Sequence, residues 1–305
     1  MSSSRLPYMS RPPPQPIFVH RGLEGGATSC AVVSTTNCAG ILVGTGKGRC
    51  ELYDADTHMH IKTVYVDQEE RTISSVGELG NSIWLHVRNY AVIILNSDGV
   101  PQVSLDTSHC GYCKTITIDE WLVYPDTKLE RHYLRFWSAN AKGQNVALKN
   151  LPLSIVTVEE TIFMGDEAGT LQRISNRGQI QKEVSLFSEP IFCLAATSSM
   201  VACGSAKPPI VLLSSDDIEG SRTNVNYPPC SRGVGSMMFS TSGKTLMAGF
   251  WDGSIRAFSV KKLTILLYLD LHSETISQMI WTEMNGEDRL IVASMDEKLS
   301  LWKLK

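Results

Sequence analysis

Short runs of β-branched, aliphatic and aromatic residues, each bounded by Gly, Asp, Asn, Ser or Pro, recur along the whole chain. Ile41–Val43, Cys50–Tyr53, Ser82–Val87, Val92–Leu95, Leu122–Tyr124, Ile210–Leu213 and Ser254–Phe258 are of this kind. Helical spacing is scarce, with few windows longer than about ten residues placing apolar side chains at i, i+3, i+4 and i+7. Many short strands between turn residues predict an all-β sandwich, barrel or propeller.

A repeat decides among these. The clearest unit reads Met237–Phe239, then Ser240–Lys244, Leu246–Gly249, Trp251–Gly253 and Ser254–Phe258. In physical terms this is strand, glycine turn, strand, Asp-Gly hairpin turn and strand, glycine accepting the positive φ such a turn demands. The pattern returns as Met279–Trp281, Leu290–Ser294, Asp296 and Leu299–Trp302. Weaker copies precede it. Third strands are expected to end at Tyr53, Leu95, Trp137, Ile174, Leu213, Phe258 and Trp302, separated by 37 to 45 residues. That is the period of a WD-type propeller, and seven marks predict a seven-bladed WD40-type β-propeller.

The last repeat stops after its third strand and lacks an outer one. Pro16–Gly22 forms a lone strand before the first complete repeat, which begins near Thr28. Placed outside the last blade, this N-terminal strand closes the ring and covers a sheet edge. Residues 1–15 are then a Pro-rich, extended lead-in and residues 16–305 a single propeller.

Composition and charge narrow the function. Hydrophobic residues make up 43% of the 305-residue chain and charged residues 19%, which gives ample material for a core. With 31 acidic against 28 basic side chains, binding of nucleic acid by bulk charge is not expected. No apolar run approaches the ~20 residues of a membrane span, the longest candidate being Leu263–Leu269, and residues 1–16 lack the apolar stretch of a signal peptide. Eight cysteines and no Asn-x-Ser/Thr sequon fit a reducing compartment, so an intracellular protein of cytoplasm or nucleus is expected.

The copies at 233–260 and 272–303 resemble WD repeats. In the second, His272, Ser294, Asp296 and Trp302 match the side-chain tetrad of that family, whose members hydrogen-bond in series from Trp to Ser to His to Asp. A closer resemblance rests on Pro12–Gly22 (PPPQPIFVHRG), Gly249–Phe258 (GFWDGSIRAF) and Ala293–Trp302 (ASMDEKLSLW). Together these look like the guanine nucleotide-binding protein beta subunit-like protein 1 family, also known as ASTRA-associated protein 1. Over residues of about 66–230 the likeness is to a propeller in general. The resemblance implies a non-catalytic scaffold, monomeric within a larger complex. Its implied partners are the TTT co-chaperone complex and the phosphatidylinositol-3-kinase-related kinases that this complex matures, with a link to the ASTRA chromatin assembly. The long N-terminal helix by which G-protein beta subunits hold gamma has no counterpart in this sequence.

Few motifs suggest chemistry. His109-Cys110-Gly111-Tyr112-Cys113 has thiols and an imidazole that suit zinc, yet no second ligand pair stands at finger spacing. It precedes a strand rather than a helix N-terminus that would activate a thiol. It therefore reads as a blade-linking loop with both thiols on one side of the chain. Gly44–Gly48 lacks phosphate-loop spacing and reads as a hairpin turn. His58 and His60 read as an exposed pair on an outer strand. No hydrolase or metalloprotease motif occurs, so neither metal, cofactor nor enzymatic activity is expected, although a hydrolytic propeller drawing its groups from separate blades would escape such a search.

Trp251 stands out because turns usually take small or polar residues. An indole there is either a partner-binding residue or packs beside Arg232 as an aromatic–cation contact. Arg71, Tyr112 and Arg232 precede first strands on the same side and are further candidates for partner contact. A ubiquitin-ligase substrate receptor is the alternative binding function. It would dock an Arg and an acid of a third strand into an adaptor, and Asp252 with Arg256, or Arg135 with Trp137, matches that pattern incompletely.

Overall fold

The turn-bounded apolar runs form antiparallel strands grouped into seven four-stranded sheets. The structure, a computed structural model, describes residues 14–34, 39–96, 98–284 and 286–303, so most of the Pro-rich lead-in lies outside the described residues. Six sheets are continuous in sequence, the first from Ala27–Ser34 to His60–Val66 and the sixth from Val234–Phe239 to Ile265–Leu269. The sheets are numbered below as blades 1 to 7 in chain order. Each of the seven predicted third-strand ends lies in the third strand of its blade, including Ile174 and Leu213, which carry no aromatic ring. The chain is a seven-bladed β-propeller.

The burial pattern explains why this sequence stacks blades. Third strands such as Ala91–Leu95 are buried throughout, because both faces of a blade meet a neighbour and the strand must be apolar on both. Outer strands such as Pro101–Asp106 and Ile180–Ser185 alternate between exposed and half-buried positions. Buried apolar side chains fall into seven clusters, one in each gap between neighbouring blades. Between blades 2 and 3 the cluster consists of Trp84, Val92, Ile94, Leu122 and Tyr124, next to the buried His86 and His109.

Blade 7 is closed as expected. Pro16–Arg21 pairs antiparallel with Lys298–Lys303, setting Phe18 opposite Leu301, His20 opposite Leu299 and Arg21 opposite Lys298. The chain's first described strand thus covers the edge that its last strand would otherwise expose.

Within blade 7 the hydrogen-bond series exists with one different member. His272 Nδ1 lies 3.0 Å from Asp296, His272 Nε2 lies 2.7 Å from Ser300 Oγ, and Trp302 Nε1 donates to that same oxygen at 2.8 Å. The serine of the series is Ser300 and not Ser294. Residues 300 and 302 share one face of the third strand, which brings the indole within reach of that hydroxyl. Ser294 Oγ instead donates to the Glu274 carbonyl and accepts from the Asp296 amide, bracing the turn. Burial holds His272 below its ordinary pKa, against the opposing pull of Asp296. A neutral ring donating from Nδ1 to the carboxylate and accepting at Nε2 satisfies both nitrogens.

Candidate functional site: the top face and its channel

The turns joining second to third strands, and the loops leading from one blade into the next, emerge on one face of the propeller, called the top here. Glycine makes these turns tight. Gly253 follows Asp252 at φ +83°, as the Asp-Gly reading requires, and a side chain there would strike the His272 carbonyl. Gly44–Gly48 likewise spans the hairpin turn of blade 1, between Ala39–Thr45 and Arg49–Asp54.

The inner strands surround a central channel whose top end is a cavity of about 1020 Å³. Three of the four expected contact residues line it, namely Tyr112, Arg232 and Trp251. The half-buried Trp251 lays its indole across Gly233, where any Cβ would collide with it, and meets the Phe192 ring edge-on at 5.2 Å. Its amide donates to the Arg232 and Gly233 carbonyls. Trp251 therefore meets the Arg232 backbone, and among the described residues no aromatic–cation contact forms between the two. The Arg232 side chain is exposed and has no ion pair or hydrogen bond among the described residues.

Arg71 does not line the cavity. It is locked to its own loop by Asp67, with Nη2–Oδ1 2.8 Å and Nε–Oδ2 3.1 Å, and its guanidinium stacks 3.6 Å above the Tyr90 ring. The neighbouring pair repeats this design. Arg88 Nε donates to the Cys110 carbonyl at 2.8 Å, and its guanidinium lies 4.8 Å from the Tyr112 ring centre. Arginine thus supports two aromatic rings that remain in solvent, Tyr90 at 42% exposure and Tyr112 at 64%. On the same face the second-to-third-strand turn of blade 3 carries Leu129 at 96% exposure, with Leu129 and Glu130 both in the left-handed region at φ +50° and +61°.

Sequence reasoning missed Tyr90, Arg88, Leu129 and Lys114. For Tyr90 a signal was present, since it occupies the same turn in blade 2 that Trp251 occupies in blade 6. For Lys114 there was none. Its amine leaves blade 3 and meets Gln278 Oε1 at 2.7 Å and the Ser277 carbonyl at 3.1 Å, both on blade 7, with the Thr28 carbonyl of blade 1 at 3.5 Å. Burial pulls its pKa down to about 8. The nearby thiols Cys30 and Cys193 are each pushed up to about 12 by burial and stay neutral.

Other sequence candidates resolve differently. The two thiols of the Cys-x-x-Cys motif do not share a side, because Cys110 is exposed and Cys113 buried, as opposite turns of the loop place them. His109 is buried with neither ring nitrogen hydrogen-bonded, and burial, with Arg88 and His132 nearby, drives its pKa to about 4. His58 and His60 are not an exposed pair on one strand. His58 sits half-buried in a left-handed turn and stacks on Phe18 at 4.9 Å, while His60 begins the outer strand and reaches Glu51 at 2.8 Å. Arg256 is buried with its guanidinium near the Phe250 and Tyr268 rings, and Arg135 pairs with the buried Asp126, so neither is presented for docking. Among the described residues no group of three or more His, Cys, Asp or Glu could hold a metal ion.

No family model matches the chain, and no curated protein matches it. Many solved structures share its fold. One is the crystal structure of the computationally designed Ika8 protein, with a TM-score of 0.68 at 12% identity over 92% of this chain and 97% of that one. At such identity the likeness speaks for the fold alone. Among the described residues no helix is long and apolar enough to cross a membrane.

Proposed function

We propose that this propeller is a non-catalytic interaction scaffold that engages a protein partner through its top face. The observation that carries this reading is the exposure of Tyr90, Tyr112 and Leu129 on top-face turns and loops, the two rings each supported by an arginine. Aromatic rings with restricted freedom make efficient anchors, because little side-chain entropy remains to be lost on binding. Among the described residues the lining of the central cavity holds no carboxylate or imidazole, which favours binding over acid–base hydrolysis there.

Following the sequence resemblance, the partner is the TTT co-chaperone complex and the function is to support maturation of the phosphatidylinositol-3-kinase-related kinases, within an ASTRA-type assembly. The described cysteines are free thiols, in keeping with a place in cytoplasm or nucleus. The test is direct binding of the full-length chain to purified TTT complex in biolayer interferometry. Tyr90→Ala with Tyr112→Ala is expected to weaken binding at least ten-fold while leaving the melting temperature unchanged. Absence of binding by the unaltered chain would overturn the TTT assignment, and equal binding by the double variant would remove this rim from the interface.

A further inference from the structure

Among the described residues the cavity wall contains three cationic side chains, Arg88, Lys114 and Arg232, and no acidic one. This is a local departure for a chain whose net charge is -3. Two acids on adjoining turns are engaged elsewhere: Glu297 accepts from the Gly25 amide, and Asp252 accepts from the Ser254 amide and hydroxyl. Lys114 is the most telling of the three. Its half-buried side chain lines the cavity, and its amine is held only by carbonyl oxygens, with no carboxylate among its partners. A partly buried cation without a counter-charge favours an approaching anion. Arg232 at the mouth has no ion pair or side-chain hydrogen bond among the described residues, while Tyr112, Phe192 and Trp251 supply apolar rings around the same opening.

We infer that this cavity takes an acidic peptide segment, its carboxylates drawn to Arg88 and Arg232 above the Lys114 floor and an aromatic or aliphatic side chain set against Trp251 and Phe192. The inference rests on the scaffold reading and specifies the chemistry of the bound partner. Charge complementarity across a low-dielectric cleft confers specificity and speeds association, and the cavity of about 1020 Å³ has room for several residues of extended chain.

Panning a random dodecapeptide phage library on the immobilised full-length chain tests it, followed by fluorescence polarisation with the enriched peptides. Enrichment of Asp and Glu beside an aromatic residue is expected, with affinity falling at least ten-fold in Arg232→Glu and in Arg88→Glu and declining with added salt. Arg232→Ala, which breaks no internal bond, guards against misfolding of the charge-reversal variants and is expected to weaken binding several-fold. Enrichment of neutral or basic peptides would overturn the inference. So would acidic peptides that bind the Arg232 variants equally well. Displacement of the peptide by equimolar tripolyphosphate would assign the cavity to a small soluble polyanion instead. Should TTT binding survive Arg232→Glu yet fail in the Tyr90/Tyr112 variant, the scaffold reading stands and the acidic-peptide inference falls.

Discussion

Acidification should weaken the seam that closes the ring, and His20 is the residue on which this rests. His20 lies in the closing strand at 6% exposure, 4.1 Å from the Tyr53 ring of blade 1, with Phe18 at 4.8 Å and His58 at 6.5 Å. Its Nε2 is buried without a hydrogen-bond partner. Burial, followed by repulsion from His58 and His60, brings its pKa from 6.5 to about 4. In the unfolded chain the ring binds a proton below about pH 6.5, whereas in the fold it resists until about pH 4. Stability is therefore intact above pH 6.5 and is lost as the pH falls, because the unfolded state binds more protons. At about 1.4 kcal/mol per unit, this residue alone removes about 2 kcal/mol by pH 5 and about 3 kcal/mol by pH 4. The perturbation is His20→Leu, which preserves apolar contact and deletes the titration. Urea unfolding of both proteins at pH 8, 6, 5 and 4 measures it. Losses from His86 and His109 are common to both proteins and cancel in the difference. The variant is expected to lose about 2 kcal/mol less than the parent between pH 8 and 5. Parallel loss in the two proteins would refute the reasoning.

Removing residues 1–21 should lower the melting temperature and promote aggregation, since it uncovers the edge of Lys298–Lys303; scanning calorimetry with light scattering checks this, and an unchanged melt would contradict the closure. Ser300→Ala strands the buried His272 Nε2 and Trp302 Nε1 and should cost about 3 kcal/mol, against about 1 kcal/mol for Ser294→Ala, whose partners, the Glu274 carbonyl and the Asp296 amide, are only part-buried. Equal shifts in denaturant midpoint would reject Ser300 as the member of the series. Trp251→Ala should weaken partner binding by about 2 kcal/mol with folding retained, and titration of the variant against purified TTT complex would expose an unaltered affinity.

The fold was largely legible because its signals are local. A glycine turn, an Asp-Gly hairpin and an aromatic strand end recur within one blade, and the regular spacing of Tyr53, Leu95, Trp137 and their successors counts the blades even where the aromatic is lost. The closing strand could be placed because an apolar PIFVH run had no partner of its own near it in sequence. Ser300 was missed because choosing between two serines near Trp302 needs the strand's facing, which a one-residue change in register inverts. Turn positions identified Trp251 and Tyr112 as top-face residues, yet not what they touch. Arg71 shows the limit: its position was read correctly, but its charge is consumed by Asp67 and its effect is to support Tyr90. Lys114 was beyond reach, for it meets Gln278 across the channel from 164 residues away, a contact that only ring closure creates.

On the proposed function, the top face of this ring of blades holds a co-chaperone. Quantitative mass spectrometry of proteins co-purifying with the tagged chain at native expression, beside the Tyr90→Ala/Tyr112→Ala variant, puts this to the test. Recovery of the TTT components with one or more of the large kinases is expected, with their depletion at least several-fold from the variant. Recovery of neither by the unaltered, folded chain, with a cullin adaptor in their place, would contradict it.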